Sequence, residues 1–379
     1  MNKKLLAVAV SSALAVPMAA QAVKYKLSGQ INRAIVYTDD GQGSDIQHGD
    51  NISSGTRWRM TGSEDMGNGM QVGFNWEWQS STNSLSGKGM KDAATGQSQD
   101  MRKAEVWFSG NWGQLSIGKG DGAGNGATEV DLSDTWNVAY HGRTSFGGGT
   151  AWRTGSGGVI PTGVALPLGT TTSAGGATVV TVGSAVPAGA LTHGDTFSEF
   201  DAFSRNDRVR YDTPAIGPIT VSASAGVQDL YEVAARLNTA VGGGQLSAAI
   251  FWGKNNSIDS RWGGSASFLM SQGTNLTVAY ATSETKAAVS AGGQDADVYY
   301  FKLGHKWGNN AVAIGYGVAE DVVEGFEDSG WHIGFNHNIP KAKVDLYAGF
   351  HMHELDTPTG VGSVEDIINF VVGTKLKFD

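Results

Sequence analysis

The stretch from Ile367 to Asp379 constrains the fold more than any other. Ile368, Phe370, Val372, Leu376 and Phe378 alternate with Asn369, Val371, Gly373, Lys375 and Lys377. A side-chain period of two belongs to a β-strand with one apolar and one wetter face. An edge strand of a soluble sandwich would show the same pattern. An uncovered edge invites pairing, however, and the natural partner is the first strand, which would close the sheet into a barrel without edges.

The N-terminus reads as an export signal. Lys3 and Lys4 precede an apolar run from Leu5 to Val16, followed by Pro17 and the small-residue tripeptide Ala20-Gln21-Ala22. Residues 1–22 would be removed, leaving a single barrel domain over residues 23–379. Loss of two lysines makes the net charge of −9 more negative. An acidic chain of this kind argues against a nucleic-acid partner. There is no cysteine to staple an exported fold, and beyond the signal no apolar run approaches a membrane helix. The 55 glycines, 11 tryptophans, 10 tyrosines and 14 phenylalanines suit small inward residues and an outward aromatic band.

About 16 strands can be read along the chain, an even number as single-chain outer-membrane barrels require. The first runs from Lys24 to Tyr37 and the second from Thr56 to Thr61, with Arg57 and Arg59 facing away from Trp58 and Met60. The third sets Val72, Phe74, Trp76 and Trp78 against Gln71, Gly73, Asn75, Glu77 and Gln79. A wet face of polar groups and glycine suits an open space better than a packed core. Further on, Ala311, Ala313, Gly315 and Gly317 face inward and would keep the lumen open. Short connections such as Gly242 to Gly244 alternate with longer ones, including Thr38 to Gly55 and Ser80 to Asp100. Short turns on one side and long loops on the other describe periplasmic and external ends, with both termini on the short-turn side.

A bare barrel is a wide hole, so selectivity needs something that narrows it. The long third loop, about 120–203, carries Glu129, Asp131 and Asp134. Strand parity sets Arg57, Arg59, Arg208 and Arg210 against it, with Arg102 and Lys119 joining them. An acidic loop facing a basic wall gives a transverse field that screens solutes by size and charge. A solvated external loop with idle carboxylates is the plainer alternative. Strict parity also turns Arg33 outward, and Lys103 and Glu105 outward if Arg102 faces in. Such charges belong at a rim or in a subunit seam, so the first and fourth strands are expected at an interface.

The residues match a family here. Lys26-Leu27-Ser28-Gly29-Gln30-Ile31-Asn32-Arg33-Ala34 resembles the opening strand of the Gram-negative trimeric general porins, proteobacterial and neisserial branch. Similar in the same way are Gly62-Ser63-Glu64-Asp65-Met66-Gly67-Asn68-Gly69, Arg208-Val209-Arg210-Tyr211-Asp212-Thr213-Pro214, and the run from Arg102-Lys103-Ala104 through Phe108-Ser109-Gly110 to Gly118-Lys119. The resemblance spans nearly the whole chain after the signal. It implies an all-β transmembrane antiparallel barrel with an inward-folded third loop, assembled as a homotrimer in the outer-membrane lipid and passing small hydrophilic solutes and ions. It also implies that Arg57, Arg102 and Lys119 belong to a basic cluster, and Glu129 and Asp131 to the loop acids. Two departures stand out: Asp379 follows the terminal aromatic Phe378, and no charge occurs from Thr154 to Thr192.

Rival readings have less to stand on. A hydrolase would need a nucleophile and a base, and no elbow, phosphate loop or metalloprotease helix is present, so no catalytic residue, cofactor or metal is expected. His351 and His353 share a face near Glu354, but no third ligand is evident. His332 should face the lumen, with His305 and His337 near strand ends. A substrate-selective porin, or a plugged barrel serving as anchor or adhesin, would use the same wall.

Overall fold

The computed structural model describes residues 23–92, 96–160, 190–291 and 293–379. Residues 1–22, read from the sequence as an export signal, and residues 161–189 of the uncharged stretch lie outside the described residues. Seventeen strand segments follow in order: β1 (Lys24–Asp39), β2 (Ser44–Asp50), β3 (Arg57–Gly67), β4 (Met70–Ser81), β5 (Ser98–Gly110), β6 (Gly113–Asp121), β7 (Arg205–Asp212), β8 (Ile219–Gly226), β9 (Tyr231–Val241), β10 (Gly244–Lys254), β11 (Ile258–Leu269), β12 (Thr274–Thr285), β13 (Ala296–Trp307), β14 (Asn310–Glu320), β15 (Glu327–Ile339), β16 (Val344–Asp356) and β17 (Ile367–Phe378). Two short helices, α1 (His193–Thr196) and α2 (Lys286–Ala291), lie in connections.

All pairings along the wall are antiparallel, and β17 returns to β1 from Gly29↔Phe378 to Asp39↔Ile368, closing the sheet. One wall position is shared. β2 pairs with the second half of β1, Arg33↔Asp50 to Asp39↔Ser44, and β3 with the first half, Lys24↔Ser63 to Gln30↔Arg57. The wall is therefore a closed barrel of 16 strands. Half of the stretch Thr38 to Gly55, read from the sequence as a long loop, is wall, with a tight turn closed by Asp40 N donating to Gly43 O. The break between β2 and β3 is a 3-10 turn, Ile52–Ser54, whose Asn51 cap accepts from Ser53 N.

Side chains alternate across the wall as the period of two demands. Ile250 is 66% exposed, while its neighbours Ala249 and Phe251 are 3% and 4% exposed. Rings gather at two heights on the outer face. Trp262, Tyr280 and Tyr299 touch at 5.2–5.3 Å near the long-loop ends. Trp112 stacks on Tyr211 at the short-turn end. Paired aromatic girdles around an aliphatic band are the signature of a lipid-facing barrel. Gly242 and Gly243, both in the left-handed region, make the two-residue turn between β9 and β10.

The small inward residues do something other than hold the lumen open. Ala311 and Ala313 are 1% and 2% exposed, and the third loop packs against their cross-strand partners Asn336 and Gly334. At Gly317 an added Cβ would lie 3.3 Å from Arg143 Cδ, and at Gly334 it would lie 2.7 Å from Ala139 Cβ. Parity also breaks in β5. The ladder shifts between Glu77 and Trp78, which pair with Lys103 and Met101, so Arg102 is an extra residue. Arg102, Lys103 and Glu105 consequently all point inward, with inner-face partners Glu77, Asp121 and Arg208. The sequence reading had placed Lys103 and Glu105 outside. Arg33 does lie on the outer face, paired at 2.8 Å with Asp50 at the β2 break.

Gly334→Leu should displace the loop rather than unfold the wall. Overpacking of about 1–3 kcal/mol is expected, with an altered single-channel conductance in protein that still shows a folded barrel's electrophoretic mobility. Unchanged conductance would refute the packing role assigned to this glycine.

Candidate functional site

The third loop leaves β6, turns into the barrel and follows its inner surface. Ala123 N donates to Ser224 Oγ on β8, Val130 N to Ser265 Oγ and Leu132 N to Ser267 Oγ on β11. Further on, Arg143 donates to Gly317 O on β14 and to Gly330 O on β15. Asn137 donates to Asn336 Oδ1 on β15 and accepts from Lys375 Nζ on β17. Asn51, at the β2 break, donates to Asn137 O at 2.6 Å. The loop thus follows the wall from its root on β7 round to β17, away from the arc β3–β6.

That arc is basic. Arg102, Arg59 and Arg57 converge on Glu77 at 2.5, 3.1 and 3.6 Å. Beside them Lys103 and Arg205 pair with Asp121 at 2.5 and 2.9 Å. Five cations share two carboxylates, so the arc keeps a net positive field. Arg59, with 42% of its side chain exposed, is the most open of the arginines around Glu77.

The other predicted cations are placed differently. Arg208 is buried on Glu105 at 2.5 Å and also donates to Gly118 O and Asp121 O. Arg210 is paired with Asp212 at 2.7 Å and donates to Gly122 O. Both secure the first turn of the loop. Lys119 lies on the outer face with Ile117, in register with Asp207. It falls there because Gly118 and Gly120 occupy the inward positions; a Cβ at Gly120 would meet Glu105 and, at 2.7 Å, Arg208 Nη2.

Of the predicted acids, only Glu129 is half-buried among other loop carboxylates. Asp131 is spent on buried Lys302 at 2.5 Å, and Asp134 is 59% exposed, 3.5 Å from Lys306. Desolvation pushes the Glu129 carboxyl well above the usual carboxylate range, and the charges of Asp201 and Glu199 push it the same way. Burial raises Glu199 and Asp201 as well. Asp201 also braces the loop, accepting from Gly126 N at 2.7 Å and from Thr128 Oγ1 at 3.2 Å. Arg261 holds the same corner, donating to Ala202 O and lying 5.0 Å over the Phe200 ring.

Sequence reasoning turned Glu77 inward without joining it to the basic cluster, and it missed Lys103 and Arg205 on the wall and Glu199 and Asp201 on the loop. The clue was available for the last pair, since they are among the first charges after the long uncharged stretch and directly precede β7. His332, His351 and His353 all face inward on β15 and β16, whereas Glu354 faces away.

A sequence profile of Gram-negative porins matches residues 6–358. The chain belongs to the Gram-negative porin family. As a porin it forms an outer-membrane channel through which small hydrophilic solutes diffuse passively. Solved structures with a similar fold include the anion-selective porin of Comamonas acidovorans, at 14% identity and TM-score 0.55, covering 94% of this chain and 100% of that one. The trimer form of OmpT from Vibrio cholerae matches at 12% identity and TM-score 0.54, with coverages of 94% and 100%. The channel DcaP of Acinetobacter baumannii matches at 13% and 0.55, with coverages of 94% and 97%. At these identities the likeness carries the fold. No curated protein sequence matches the chain.

Glu77→Gln leaves three arginines without their shared carboxylate. Stability is expected to fall by about 2 kcal/mol, less than the ~3–5 kcal/mol of a dry ion pair because Arg59 stays wet. The reversal potential in a salt gradient should move toward anions. A potential unchanged from wild type would remove the arc from the filter.

Proposed function

We propose that this porin selects solutes at the gap between the bare basic arc, Arg57, Arg59, Arg102, Lys103 and Arg205, and the third-loop acids Glu129, Glu199 and Asp201. The observation that carries this reading is the loop's path: its bonds to the wall run from β8 through β11 and β15 to β17, on the side away from the arc. Opposed charges on a narrowed passage order water and set a transverse field. With five cations against two carboxylates on the wall, and loop carboxyls that hold protons more readily than usual, the channel prefers small anions weakly. No covalent step is involved, and the protein acts as a channel rather than an enzyme.

The sign of the pH dependence follows. Loop carboxyls with raised pKa values become neutral earlier as pH falls from neutrality, so anion preference should grow well before ordinary carboxylates titrate. In planar bilayers, Glu129→Gln with Glu199→Gln should show that acid-side anion preference already at neutral pH and lose most of the pH dependence. Conductance with wild-type selectivity and pH response in the double variant would move the filter elsewhere. Absence of any conductance would favour a plugged anchoring barrel.

The working unit is proposed to be a homotrimer exported through removal of residues 1–22. Two features support an interface on the β1–β8 side. β7 and β8 have 8 residues each, short against the ~9–11 that a tilted strand needs to cross lipid. Arg33 and Lys119 add outward charge on the same arc. Light scattering in detergent should give three chains. A dye on Val209→Cys should be shielded from lipid-phase quenchers, and one on Val278→Cys of β12 quenched; equal quenching would place the interface elsewhere.

A further inference from the structure

The sequence left His351 and His353 without a third ligand, and the folded loop brings one to His353. α1 of the third loop sets His193 against the inner wall, with its ring centroid 4.0 Å from that of His353 on β16. Asp328, the second residue of β15, meets the His193 ring, its Oδ2 lying 2.8 Å from Nδ1. His193, Asp328 and His353 each present one donor atom within 4.8 Å of the other two, and all three side chains are fully buried.

The second observation is what these groups lack. Neither nitrogen of His353 has a hydrogen-bond partner, nor does Nε2 of His193. Buried polar atoms are nearly always paired, so several orphans on adjoining imidazoles need an explanation. The carboxylate, by contrast, is fully held: Thr196 Oγ1 donates to Oδ2 at 2.7 Å, and Arg143 Nη2 to Oδ1 at 2.6 Å. A carboxylate fixed in this way is a pre-positioned donor standing beside the imidazole it touches.

We propose that His193, Asp328 and His353 bind one transition-metal ion of the zinc, nickel or copper class. Two imidazoles and a carboxylate suit these ions, whereas magnesium and calcium favour all-oxygen shells. Ligands on one such ion stand closer together than 4.8 Å, and the loop-borne His193 supplies the small inward movement. Arg143 already answers the carboxylate's charge, which tempers affinity for a dication. The ion would clip the third loop to the β15–β16 wall at the residue that follows the uncharged stretch, which ends at Thr192.

The test uses the folded full-length porin in detergent, dialysed against zinc ion and then against buffer. About one zinc per chain is expected, with a rise in melting temperature that a chelator reverses. His193→Asn and His353→Asn should each lose the zinc, while His305→Asn, outside the cluster, should keep it. Cobalt in the wild-type protein serves if the variants fail to fold: strong visible absorption of a four-coordinate ion is expected. No retained zinc, zinc retained equally by the His193→Asn and His353→Asn proteins, or weak six-coordinate cobalt bands would each overturn the site.

Discussion

Every backbone N–H and C=O in a lipid-facing wall has to find a partner inside the protein, because hydrocarbon offers none. The β1–β17 ladder meets that demand at the seam, and the rest of the architecture depends on it. Where the shared wall position passes from β2 to β3 the ladder is interrupted, and inward side chains repair it. Gln30 donates to Ser54 O and Gly55 O, and Asn32 donates to Ser54 O. Polar residues on the first strand therefore stand in for a missing stretch of neighbour. The cost of an unsatisfied group explains why the break is lined with amides rather than left apolar.

Closure fixes the circumference but not the opening, which is set by how closely the third loop lies against the wall. Glycine and alanine on β14 and β15 let the loop's backbone and Arg143 approach closely. Ion pairs such as Lys302–Asp131 and Arg143–Asp328 then hold it. Wall and loop are consequently one packed unit on that side, and the charge pattern of the bare side is free to serve solutes. The same economy appears at the loop's root, where Arg208 and Arg210 serve as struts.

The period of two made the strands, their faces and the barrel legible from the sequence, down to the inward Glu77 and Ala313. What it could not show is a one-residue insertion. Arg102 occupies an extra position opposite Glu77, and from there parity gives the opposite answer for Lys103 and Glu105. Lys119 misled for a related reason, since two glycines beside it carry no face label of their own. The loop residues Glu199, Asp201 and His193 follow no period at all. Their company, Glu129 in one case and His353 in the other, depends on contacts between segments more than sixty residues apart, and local pattern carries no information about these.

Trp152, Ile160 and Leu191 pack with Val323, Phe326, Leu355 and Ile367 at the long-loop end of the barrel. Leu191 N donates to Ile160 O there, so the two ends of residues 161–189 stand side by side. Once the ends of a segment are tied together, the entropy of closing it rises only with the logarithm of its length. The stretch can therefore grow, shrink or change wholesale between generations while the barrel folds as before. Selection on the sequence of that stretch is then separated from selection on the folding of the barrel.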